Sequence, residues 1–117
     1  MNAEEIKART KEFALRIIKL VSAMPKTIEG RAIANQIVRS GTSVAANYRS
    51  VCRARSRTEF AAKIGIVLEE ADETLLWLEL IVGAGLLAAE RVEPLLREAS
   101  ELGGDYGCHA QVFTRPP

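Results

Sequence analysis

The chain has 117 residues, 48% of them hydrophobic, and a formal net charge of +1. A domain of that length buries roughly 60–70% of the surface its unfolded chain exposes, so its core needs no disulfide or metal staple. Two cysteines, Cys52 and Cys108, make no disulfide framework, and no apolar run reaches the ~18 residues of a membrane span. No basic start followed by an apolar stretch marks a secretory signal, so a cytoplasmic protein without a membrane partner is expected.

An amphipathic helix is predicted over about 2–24: Ile6, Phe13, Ile17, Leu20, Val21 and Met24 share one face, and Lys7, Lys11 and Lys19 take the others. Pro25 stops it, because proline disfavours helical geometry in the residue before it, and Thr27 is placed to cap a second helix over about 28–54. The second core stripe reads Ile33, Ile37, Val44, Tyr48 and Val51. Gly41 falls nearby and costs about 1 kcal/mol against alanine, which predicts close approach of a neighbouring helix.

Ser56 followed by Glu59 is a capping-box pattern that opens a third helix over about 57–83. Its stripe is Phe60, Ile64, Val67, Ala71, Leu75, Leu78 and Val82, and Gly83 and Gly85 end it. From Leu75 to Val82 only Glu79 is charged. A segment apolar on nearly every face must be covered on more than one side, which makes Leu76, Trp77 and Leu80 candidate oligomer-interface residues.

A fourth helix is predicted over about 88–102 from Val92, Leu95, Leu96, Ala99 and Leu102, with Pro94 expected to confine its regular part to Glu93 onward. Residues 103–117, beginning with a Gly-rich run, read as an irregular tail. No strand pattern or internal repeat occurs. The fold class is therefore all-α, an antiparallel up-down-up-down four-helix bundle over residues 1–102.

Chemistry concentrates between Asn47 and Phe60, where four arginines lie within nine residues. Arg49, Arg53 and Arg57 follow at i, i+4 and i+8 on one slowly drifting helical stripe, with Arg55 off it. With Lys63 they form a candidate nucleic-acid-binding set. Charge is segregated more widely: from Pro25 to Arg57 seven cations face only Glu29, whereas from Thr58 to Leu102 ten acids face Lys63, Arg91 and Arg97. Two readings stand. The arginines hold phosphate of RNA or DNA, or they pair with acids of the third helix, in the same or a neighbouring subunit, in a purely structural or protein-binding module. The near-neutral pI of about 7.8 counts against a dedicated nucleic-acid binder, for which values above ~9 are usual.

Structural polar pairs are also expected. In a hairpin turning near residues 54–56, Arg39 comes level with Asp72 and Glu73, so its guanidinium is predicted at least half buried and bonded to Glu69, Asp72 or Glu73. Asn47 comes level with Gly65 and is expected to hydrogen-bond between helices. Carboxylates Glu69, Glu70, Asp72 and Glu73 lack the Glu-x-x-His companions of di-iron bundles, the sole histidine being His109, so no metal or cofactor is expected. Cys52 has no nearby base or resolving cysteine and reads as a core thiol, Trp77 as packing. Neither Tyr106 nor His109 sits in a pattern with chemical meaning. With no nucleophile beside a base, the chain is expected not to be an enzyme.

The segment Gln36 to Tyr48 (QIVRSGTSVAANY), then Ser56-Arg57-Thr58-Glu59-Phe60, then Glu69-Glu70-Ala71-Asp72-Glu73 leading into Trp77-Leu78-Glu79-Leu80, resembles the four-helix-bundle family of ribosomal RNA intervening-sequence proteins. The resemblance covers roughly residues 13–102. Ala45 stands where that family commonly has proline, and Ser50-Val51 where it has Glu-Gly, so the second helix is expected to run unbroken into the arginines. The resemblance implies a homopentameric ring, as in the related accessory proteins of diversity-generating retroelements, which are thought to bind nucleic acid and a reverse transcriptase.

Overall fold

The computed structural model describes residues 1–104. Within them run α1 (Ala3–Val21), α2 (Ile28–Val51), α3 (Arg57–Gly83) and α4 (Ala89–Ala99), and one π-helical turn, Ser100–Gly104, prolongs α4. The short joints make an all-α, antiparallel four-helix bundle. Three helix starts are capped by side chains. Asn2 accepts from the Glu5 amide at 2.9 Å, Thr27 from Gly30 at 3.1 Å and Ser56 from Glu59 at 3.1 Å, each satisfying an otherwise orphaned N–H.

Helices α1 and α2 stop about three residues earlier than the sequence pattern suggests. Their last turns tighten to i→i−3 bonds, Met24 to Val21 at 3.1 Å and Ala54 to Val51 at 3.0 Å, so the apolar pattern continues while the α-helix does not. Met24 still reaches the core. Pro94 does not delay α4, which begins at Ala89 and carries the exposed proline inside it. In the second turn a proline forfeits a single bond, to the Glu90 carbonyl, and burial of Val92 and Leu95 outweighs that loss.

The core is continuous along the bundle, with Phe13, Ile17, Ile37, Val44, Val67, Leu78, Ile81, Val92 and Leu102 fully buried. Gly41 lies against α1, where an added Cβ would stand 3.0 Å from the Ile17 side chain. The inward seam of α3 is Ile64, Val67, Ala71, Thr74, Leu78 and Ile81. Phe60, Leu75 and Val82, expected on it, are half-buried shoulders. Thr74 displaces Leu75 because its hydroxyl has a partner: it lies 2.9 Å from Ser40 Oγ, with the Glu70 carbonyl 2.8 Å from Thr74 and the Ile37 carbonyl 3.3 Å from Ser40. A satisfied hydroxyl pair is tolerated in the interior.

The π turn takes Leu102 into the core and lays Gly103 on α3, where a Cβ would collide with Ala71 and the Asp72 amide. Gly103 is thus packed structure rather than the start of a tail. The rest of that segment, including Tyr106, Cys108 and His109, lies outside the described residues. Among the described residues no helix is long and apolar enough to cross a membrane.

Candidate nucleic-acid interface

One end of the bundle is made by the last turn of α2, the turn at residues 52–56 and the first turn of α3. Arg49 sits in the last turn of α2, where the helix dipole favours a cation. Arg53 and Arg55 occupy the turn. Arg57 opens α3 at the positive end of its dipole, where a cation gives the helix nothing. All four are exposed. Arg55 lies 3.8 Å from Glu59, a loose pair on a side chain 89% exposed. Among the described residues, the guanidinium groups of Arg49, Arg53 and Arg57 have no carboxylate or hydrogen-bond partner.

The floor beneath them is packed into the core. Tyr48 and Val51 are buried, and the Tyr48 phenol sits against the half-buried free thiol of Cys52. Burial first, then the proximity of Cys52 and Glu4, raises the Tyr48 pKa above its ordinary 10.0. Lys63 differs from the arginines. Its ammonium donates to Ser50 Oγ at 2.8 Å and lies 3.5 Å from Glu59, tying α3 to α2 instead of facing solvent.

The expected polar pairs are met in part. Arg39 reaches Glu73 at 3.5 Å, as the hairpin register requires, but its side chain is 63% exposed rather than buried. It leaves α2 about 200° round from buried Ile37, so only its head folds back over the acid. Asn47 does not bridge the helices; its amide donates to the Ser43 carbonyl, one turn back on α2, at 2.8 Å. Glu69 and Asp72 are exposed and form no ion pair among the described residues. Leu76 and Leu80 are exposed, whereas Trp77 is half-buried against the core with no acceptor for its indole N–H.

One ionic site escaped the sequence reading. Arg9 donates through Nε and Nη2 to both oxygens of Glu98, at 2.8 and 2.7 Å, and through Nη2 to Glu101 at 3.0 Å. The bond to Glu98, more than compensating for burial, raises the Arg9 pKa above its ordinary value. The signal was available: in an up-down-up-down bundle the end of the fourth helix lies beside the start of the first, which brings Glu98 and Glu101 level with Arg9. Among the described residues, no three His, Cys, Asp or Glu side chains converge on a metal-sized site.

Four antiparallel helices make the chain an all-α bundle. The chain belongs to the 23S rRNA-intervening sequence protein family, whose model matches residues 3–105. It is similar to a crystal structure of a protein of unknown function from the S23 ribosomal protein family of Bacteroides thetaiotaomicron VPI-5482. Identity is 32%, with 94% of this chain and 99% of that one covered and a TM-score of 0.82. No curated protein matches the chain.

Proposed function

We propose that this is a non-enzymatic, homo-oligomeric cytoplasmic protein that holds the phosphates of RNA or DNA on its α2–α3 turn. The observation that carries the binding half is the exposure of Arg49, Arg53 and Arg57 at one end of the molecule without an internal partner. Unpaired guanidinium groups on a packed base suit phosphate oxygens, which they would position without reading sequence. Arg55 contributes at the margin and Lys63, already engaged, does not. The oligomer, for which the family resemblance implies five copies, is supported by the apolar outer face of α3.

The test is anisotropy of labelled single-stranded and duplex RNA and DNA against salt, with wild type and the triple variant Arg49→Gln, Arg53→Gln, Arg57→Gln. The variant is expected to keep its melting temperature and to lose about 2–3 units of log–log salt slope, one for each phosphate contact released. Unchanged affinity together with a lower melting temperature or a dissociated oligomer would instead assign the arginines to ion pairs between subunits.

A further inference from the structure

Helices α1 and α4 lie antiparallel, and the Arg9 fork on Glu98 fixes their register. Seven residues make about two turns of helix with only ~20° of drift, so moving that far along each helix, away from the α2–α3 turn, puts Arg16 level with Arg91. An arginine thus stands where the repeat calls for an acid. Arg16, half-buried, and Arg91, exposed, line one groove together with Lys19, over a floor of buried Leu20 and Leu95 and exposed Pro94. The groove holds about 270 Å³. Among the described residues, none of the three cations has an ion pair or a side-chain hydrogen bond. The acids nearest in sequence do not serve them: Glu12 and Glu90 form no ion pair among the described residues, and Glu93 lies 3.9 Å from Arg97.

Like charges facing each other across a groove repel, and an anion between them turns that repulsion into attraction. We infer that the α1–α4 groove binds the diphosphate group of a small phosphorylated molecule, held between Arg16 and Arg91 with Lys19 alongside. Guanidinium groups on two walls can each take a pair of phosphate oxygens, which suits an anion gripped from both sides. One phosphoryl group carries about two negative charges at neutral pH, so two adjoining groups match three cations better than one does. Sites for drug-sized ligands begin at about 300 Å³, so the ligand is compact. A nucleic-acid strand calls for a row of cations along its backbone, whereas these converge on one concavity, toward the end of the bundle opposite the α2–α3 turn. The diphosphate comes either from a nucleotide, whose base would rest on Leu20, Pro94 and Leu95, or from free pyrophosphate.

Isothermal titration calorimetry of the full chain tests this with inorganic pyrophosphate, ADP and inorganic phosphate. Pyrophosphate and ADP are expected to bind at least about 10-fold more tightly than phosphate. Arg16→Gln and Arg91→Gln should each weaken both ligands by at least about 10-fold, as for loss of a charge-assisted hydrogen bond, and either variant serves if the other fails to fold. The triple variant Arg49→Gln, Arg53→Gln, Arg57→Gln should bind them as wild type does. ADP tighter than pyrophosphate identifies a nucleotide as the source, and the reverse order identifies pyrophosphate itself. Arg91→Glu gives a readout that needs no ligand. It offers Arg16 the acid that Glu98 offers Arg9, so the free protein should melt about 1–4 °C above wild type and bind neither ligand. Melting at or below wild type would show that the two arginines do not face each other and would overturn the site. So would wild type binding neither ligand at millimolar concentration, affinity kept in Arg91→Gln, or ADP displaced from the triple variant by a short single-stranded oligonucleotide, which would give the groove to a strand. The triple variant keeps the groove intact, so none of these results depends on whether the α2–α3 turn binds nucleic acid.

Discussion

Arg9 joins residues 89 positions apart in the chain, and its fork on Glu98 leaves the two side chains 20% and 16% exposed. Breaking such a pair costs more than the pair contributes, because the surviving carboxylate loses both water and partner. Arg9→Ala should therefore lower unfolding free energy by about 2–3 kcal/mol in urea, with Glu98→Gln added to Arg9→Met recovering much of it. Equal losses for the single and the paired change would show that the contact is only packing. With its pKa raised, Arg9 keeps its proton up to and beyond its ordinary value, so this stabilisation fades only in strong alkali. Tyr48 responds sooner. The folded protein holds its phenol neutral above 10.0, the value at which the unfolded phenol ionises, so stability is retained below that pH and falls as pH rises through it. Between about pH 9 and 11 the melting temperature of wild type should fall more steeply than that of Tyr48→Phe. Parallel curves would refute the assignment.

Helix α3 is apolar on its outer face as well as its inner one, and this explains which elements the sequence disclosed. Caps at Thr27 and Ser56 are local and legible, and the hairpin register that levels Arg39 with Glu73 follows from counting back from the turn. The inward seam was misjudged at Thr74 and Ile81 because α3 is apolar on both sides, so periodicity alone names no inner face. Thr74 became an inner residue only through Ser40, a partner on another helix that spacing does not reveal. The candidate site was legible as a cluster of cations. Which of them are free was not, since Lys63 is claimed by Ser50 and Glu59 in three dimensions. The π turn was hidden for a similar reason: Gly103-Gly104 looks like punctuation, yet glycine at 103 is what lets the chain touch the α3 backbone. Gly103→Ala should push that turn off Ala71, expose Leu102 and cost about 2–3 kcal/mol. Hydrogen exchange should show the loss in α4 first, and uniform protection would count against it.

At the scale of the whole molecule, the two halves of the proposed function call on different charges. Acids of α3 and lysines of α1 lie along the sides of the bundle, and Arg49, Arg53 and Arg57 lie at one end. If copies join side by side in parallel, every arginine turn lies on the same rim. Each turn alone offers about three phosphate contacts, which gives weak, salt-sensitive binding. A strand long enough to run from one turn to the next binds the second intramolecularly, and avidity of this kind raises affinity by about 10²–10⁴ without any new contact. Oligomer length dependence therefore links the two halves. Leu76→Glu, which leaves the arginines untouched, should bind a short oligonucleotide as well as wild type does and a long one at least about 10²-fold more weakly. An equal loss for both lengths would mean that the substitution damages the turn itself. No loss for either would mean that strands engage one subunit at a time, even if the subunits assemble.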